Sequence, residues 1–348
     1  MQNQTVTAHV ISHTHWDREW YQTFDEFRIN LVDLIDTLLD ILDREKEYKF
    51  FLLDGQTVIL EDYLEIRPGA EERLKRHIRK GRILIGPWYV LSDEFLASGE
   101  ALIRNLLLGH QIAKRFGGIM KVGYLPDTFG HISQMPQILK GFGIDSAVIW
   151  RGLGGKPGEL KSEFLWRSPD GTRVLTIHLQ DKMGYANAWN ISSCKNFDEL
   201  HEKIALLKKD RVAYATTKHL LFMNGCDHLL PDPKVIEIIK NVNREMAGTV
   251  FVHSNLPDYI SQIRRSKPRL AIRAGEFRST KNTSIYAGVL STRMYIKQIN
   301  GRLQNKLQNW AEPFMAINWM LGNKYPGHLL RQAWKYILQN HAHDSICG

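Results

Sequence analysis

The segment His13-Thr14-His15-Trp16-Asp17 brings two imidazoles and a carboxylate together directly after the apolar run Val10-Ile11. In an extended chain side chains alternate, so His13, His15 and Asp17 share one face. Imidazole nitrogen and carboxylate oxygen are donors suited to zinc. Core histidines and a helix cap would account for these residues singly. Three candidate ligands on one face, leaving a first strand, point instead to a metal or catalytic site. Two further carboxylates sit in similar places: Asp127 in Leu125-Pro126-Asp127-Thr128-Phe129-Gly130-His131, and Asp227 in Met223-Asn224-Gly225-Cys226-Asp227-His228. Each taken alone reads as a turn or cap residue. Together with a zinc-type ligand set they suggest a hydrolase. Glycoside cleavage uses one carboxylate to attack or activate water and another to protonate the leaving oxygen. Metal-assisted deacylation would use similar groups. Trp150-Arg151-Gly152 adds a cation and an aromatic ring. Trp16, Trp20, Trp88, Tyr89 and Trp150 suit either sugar stacking or a core. His341 and His343 are two residues apart, positions that diverge by about 200° on a helix, so one of them faces a given site.

These groups must be held by strand ends. Strand-like runs occur at 9–11, 50–53, 83–85, 122–125, 147–150, 174–177 and 220–223, with an eighth at 250–252. Amphipathic segments such as 27–42, 101–116 and 235–246 separate them. The alternation predicts an α/β fold with a parallel, barrel-like (β/α) catalytic domain of about seven strands. In such folds functional groups gather after the strands, where Asp17, Asp127 and Asp227 stand. From about Asn282 the texture becomes helical, with 290–321 and 328–340 reading as helices. The expected division is a catalytic domain over 1–270 and the beginning of an α-helical bundle over 271–348.

Composition narrows the function. Hydrophobic residues make up 43% and charged residues 24% of the 348, as in a soluble globular protein. The net charge of +9 is dispersed over short groups that read as solvated helix faces, so no nucleic-acid partner is expected. No apolar run is long enough to span a membrane, and the polar residues 1–7 do not read as a secretory signal. Cys194, Cys226 and Cys347 are too scattered for a disulfide framework or a zinc ribbon. A reducing, cytoplasmic setting is expected.

Four separated motifs, His13 to Trp20, Gly123 to His131, Asn224 to Asp227 and Asn340 to Ile346, closely resemble those of glycoside hydrolase family 38, in the family's order. Its members are zinc-dependent retaining α-mannosidases, and the bacterial branch that includes 2-O-mannosylglycerate hydrolases looks nearest. The resemblance implies zinc held by His15, Asp17, Asp127 and His343. It implies Asp127 as nucleophile and Asp227 as general acid/base. It also places Trp20 under the mannose ring, Arg151 beside the nucleophile and Asp344 against the sugar, and leaves His13 structural. The implied substrate is an α-mannoside or mannose-containing oligosaccharide, with phosphorylated or carboxylated mannosylglycerate as the alternative. Family members continue for several hundred residues beyond the last ligand motif. The chain is therefore expected to be an N-terminal portion whose bundle helices expose apolar surface, inviting self-association into a homo-oligomer. A catalytically impaired carbohydrate-binding fragment is a further alternative.

Overall fold

The computed structural model describes residues 5–155, 159–180 and 182–348. Ten strands alternate with helices: β1 (Val6–Thr14), β2 (Phe51–Leu53), β3 (Ile83–Leu84), β4 (Gly123–Leu125), β5 (Ser146–Ile149), β6 (Glu163–Arg167), β7 (Arg173–His178), β8 (His219–Asn224), β9 (Thr249–His253) and β10 (Ile272–Ala274). Among the described residues they form two five-stranded sheets, β3-β2-β1-β8 with β9 also on β1, and β10-β6-β7-β5-β4. Among the described strands every ladder is parallel except that of β6 with β7. The sheets meet beyond β3, where Met120 N donates to Ile85 O at 2.9 Å and Trp88 Nε1 donates to Tyr124 O at 3.0 Å.

Alternation along the strands builds two cores. Ile11, Leu52, Tyr124, Val148, Ile177 and Leu221 come from both sheets and pack together in an inner cluster. Their neighbours Val10, Leu53, Leu125, Ile149 and Phe222 turn outward to the helices. That is the arrangement of curved sheets around a shared interior, so the expected α/β, barrel-like class holds. No ladder joins β7 to β8 among the described residues.

The helices are α1 (Phe24–Arg44), α2 (Val58–Leu64), α3 (Glu71–Arg79), α4 (Gly99–Phe116), α5 (Met135–Gly141), α6 (Phe197–Tyr214), α7 (Lys234–Glu245), α8 (Leu256–Arg265), α9 (Met294–Asn305), α10 (Glu312–Met320), α11 (Gly327–Asn340) and α12 (His343–Cys347). Helix α1 shows why the pattern was readable. Thr23 and Glu26 form a capping box, and Leu31, Leu34, Ile35, Leu38, Leu39 and Leu42 bury one stripe. The single helix expected over 290–321 is α9 and α10 joined by a π-helical turn over Lys306–Ala311, with Pro313 in the first turn of α10. On these last helices Trp310, Phe314, Ile317, Trp319, Met320 and Leu321 are exposed, as the sequence led one to expect.

Strands β6 and β10 were not expected. β6 is the first arm of a hairpin with β7, turned by Ser168-Pro169-Asp170-Gly171, where Asp170 Oδ1 accepts from Thr172 N at 3.0 Å and Gly171 has φ 87°. Proline and glycine around aspartate are turn chemistry, and that was the available signal.

Gly225 lets the chain after β8 pass against β1, since a Cβ there would lie 1.9 Å from His13 O. Gly225→Ala is expected to destabilise the chain by roughly 2 kcal/mol or more through forced backbone displacement. Chemical denaturation measures this, and a stability equal to wild type would refute the close approach.

Candidate active site

Strand β1 delivers His15 to the end of the barrel, where it bridges to Asp227 beyond β8. His15 N donates to Cys226 O at 3.2 Å, and His228 N donates to His15 O at 2.9 Å. The loop after β4 carries Asp127. His343 opens α12, arriving from the helical end of the chain. The loop after β3 seats it: Leu91 O lies 3.0 Å from His343 N and 3.3 Å from Nδ1, and Asp93 N donates to His341 O at 3.1 Å.

Four side chains converge at this point. His15 Nε2 lies 3.2 Å from Asp17 Oδ1 and 3.9 Å from Asp127 Oδ2. His343 Nε2 lies 3.5 Å from Asp17 Oδ1 and 3.6 Å from Asp127 Oδ2. All four residues are buried. The Nε2 atoms of both histidines are buried with no hydrogen-bond partner among the described residues. Two orphaned imidazole nitrogens facing two carboxylates form a donor set that fits a zinc ion. Ligand atoms of His15, Asp127 and His343 all lie within 4.8 Å of one another, as do those of Asp17, His343 and Asp344.

The field here is strongly anionic. Burial opposes a charge on His343, yet Asp344, Asp127 and Asp17 outweigh it and lift its pKa to about 10. Burial opposes charge on His15 too, but Asp54 and Asp17 push it well above the ordinary value. Asp344 is raised to about 6 by burial and by the neighbouring carboxylates Asp17 and Asp127, against the pull of His343. Asp17 is drawn far below the usual carboxylate range by His15 and His343, against its burial. A divalent cation would answer the same field.

A cleft of about 780 Å³ opens over the cluster, lined among others by Trp20, Asp127, Arg151, Tyr185, Asp227 and Asp344. Arg151 holds Asp127: its Nε lies 2.6 Å from Oδ1, and its Nη1 donates to Ser284 O at 2.8 Å. The guanidinium stacks over Trp150, 4.0 Å from the ring centroid. Tyr185 donates from its hydroxyl to Asp227 Oδ1 at 2.7 Å. Trp20 stands at the cleft with 57% of its surface exposed.

Residues 5–289 match the family description "Glycosyl hydrolases family 38 N-terminal domain", and residues 284–348 match "Alpha mannosidase middle domain". The chain belongs to glycosyl hydrolase family 38. It is 40% identical to a protein of Halalkalibacterium halodurans named "Putative mannosylglycerate hydrolase", over 98% of this chain and 39% of that protein. Human "Alpha-mannosidase 2C1" is 25% identical over 98% of this chain and 32% of its own length. A crystal structure of an alpha-mannosidase from Enterococcus faecalis V583 superposes with a TM-score of 0.94 at 36% identity, covering 99% of this chain and 39% of that one. The chain thus spans about two fifths or less of the length of these relatives.

Within this family 38 chain Trp20, Asp127, Arg151, Asp227 and Asp344 line the cleft, and His15, Asp17 and His343 cluster against Asp127. His13 makes a different contact, with its Nε2 2.9 Å from Tyr185 O. His341 bonds to Asn300 Oδ1 at 2.7 Å, but a break between α11 and α12, rather than one helix, separates it from His343. Sequence reasoning missed Tyr185, Asp54 and the loop after β3. Asp54-Gly55 follows β2 as Asp127 follows β4, and that parallel was the signal. Tyr185 had no motif around it.

A zinc ion bound through histidine nitrogens would compete with protons for them, so apparent affinity should fall as the pH is lowered. Zinc titrations between about pH 6 and pH 8 in buffers of different ionisation enthalpy are expected to show proton release. Affinity indifferent to pH would argue against histidine ligation.

Proposed function

We propose that the chain carries the catalytic machinery of a zinc-dependent retaining α-mannosidase. The observation that carries this reading is the convergence of two orphaned imidazole nitrogens with Asp17 and Asp127 under a cleft that also holds Asp227. His15, Asp17, Asp127 and His343 would hold the ion, which when bound supplies a double positive charge for the cis O2 and O3 hydroxyls of mannose.

The chain's own groups account for the rest. Asp127 presents Oδ2 to the histidines and Oδ1 to Arg151. Arg151 thereby fixes the carboxylate in one orientation for attack at the anomeric carbon. Asp227 would protonate the departing glycosidic oxygen and later take a proton from water. Tyr185 restricts it to one rotamer through Oδ1. Retention requires the two carboxyls to stand about 5 Å apart. Trp20, exposed at the cleft, offers a ring to an apolar sugar face, and Asp344 offers an acceptor to hydroxyls. The three free cysteines fit a reducing, cytoplasmic setting.

A second reading is a 2-O-mannosylglycerate hydrolase, acting with or without a phosphate on the sugar. The 40% identity to the similarly named protein favours it, as do Lys182 and Arg293 in the cleft wall, which suit an anionic substrate.

Asp127→Ala is expected to lower hydrolysis of an aryl α-mannoside by about 10³-fold or more, because the covalent route is lost. Asp227→Ala should spare aryl mannosides with good leaving groups and nearly abolish turnover of alkyl mannosides. Equal turnover by wild type and Asp127→Ala would sink the assignment. Mannose and zinc binding without any turnover would instead mark a carbohydrate-binding fragment.

A further inference from the structure

One buried carboxylate has no part in the proposed reaction. Asp54 lies just past β2, fully buried, with its backbone in the left-handed region at φ 47°. Its two oxygens face donors. Oδ1 and Oδ2 stand 3.1 and 3.0 Å from His15 Nδ1. Oδ2 also accepts from Trp16 N at 2.8 Å and from Gln56 Nε2 at 2.8 Å. Gln56 is anchored in turn, donating to Trp16 O at 2.7 Å. The carboxylate is therefore immobilised from several sides, with both oxygens at the imidazole ring and Oδ2 held besides by Trp16 N and Gln56 Nε2.

An imidazole that binds a cation through one nitrogen keeps its proton on the other, and the contact at that other nitrogen decides which is which. His15 faces carboxylates at both ends. Asp17 Oδ1 lies 3.2 Å from Nε2, so in the absence of Asp54 it would compete for the ring proton and block the nitrogen that points into the cluster. We infer that Asp54 is a positioning residue: it retains the Nδ1 proton of His15 and so commits Nε2 to the cation. His343 meets the same need differently. Its Nδ1 lies 3.3 Å from Leu91 O, again leaving Nε2 turned inward. Both histidines are thus held at Nδ1 by a rigid acceptor, one a side chain and one the backbone. The inference rests on the zinc reading of the site.

Asparagine at position 54 would keep the shape but offer one acceptor oxygen where aspartate offers two. Its amide N–H would have to face either His15 Nδ1 or the donors Trp16 N and Gln56 Nε2. In the first case the ring proton is driven to Nε2. In the second, two buried donors lose their acceptor.

The test uses the whole 348-residue chain. Zinc affinity of wild type and Asp54→Asn is measured by chelator competition, and nitrogen-15 spectra of the imidazoles are recorded on zinc-loaded wild type. Asp54→Asn should bind zinc about 10- to 100-fold more weakly. Its zinc-free melting temperature is recorded alongside as the check that the variant folds. The wild-type spectrum should show His15 protonated at Nδ1, with that proton protected from exchange. Equal zinc affinity in the two proteins, or a His15 that ligates through Nδ1, would overturn the role of Asp54. Failure of wild type itself to bind zinc would overturn the metal reading beneath it. Should the variant not fold, the wild-type spectrum alone decides.

Discussion

Placing carboxylates and imidazoles together out of water is the constraint around which this structure is organised. Asp17, Asp54 and Asp127 surround His15 and His343 in a region from which solvent is almost excluded. Unpaired charges there would cost several kcal/mol each. Each is therefore tied: Asp127 to Arg151, Asp54 to two donors besides His15, His343 to the Leu91 carbonyl. What stays untied among the described residues is the pair of Nε2 atoms, and both face Asp17 Oδ1 and Asp127 Oδ2. The arrangement is stable as a whole only if something positive lies between them, either protons or a cation.

The two curved sheets supply the stiffness that this requires. Asp17, Asp54, Asp127 and Asp227 follow β1, β2, β4 and β8, whose inward residues pack into one inner cluster. A displacement of any strand would be felt by that cluster and by the site together. The loop after β3 extends the frame to the helical part. Its Leu91 and Asp93 backbones dock the segment around His343, and Glu94 Oε1 lies 2.7 Å from His131 Nδ1 in the loop that carries Asp127. One loop thus couples the segment of Asp127, the proposed nucleophile, to His343, the last of the proposed ligands, which comes from a part of the chain more than 200 residues later.

Much of this was legible in residue order, for identifiable reasons. Eight expected strands coincide with β1 to β5, β7, β8 and β9, because apolar strand runs and amphipathic helices carry their periods in the sequence. The unexpected hairpin arm β6 includes Glu163 and Arg167, charges that mask a short strand. The motif residues stood out because histidine and aspartate directly after apolar strands are hard to explain as core. Asp54 had the same setting but only a single carboxylate in an Asp-Gly turn, which an ordinary turn explains equally well.

By itself the sequence determined the alternation of elements, the donor types after each strand and the family to which the chain belongs. All of these are local properties, written in spacing and side-chain chemistry. Only the tertiary structure decided which nitrogen of each histidine is free, which oxygen of Asp127 faces Arg151, and that Tyr185 and Asp54 join the site. Those depend on distances between segments remote in the chain, and such distances are set by packing around the common core rather than by any run of neighbouring residues.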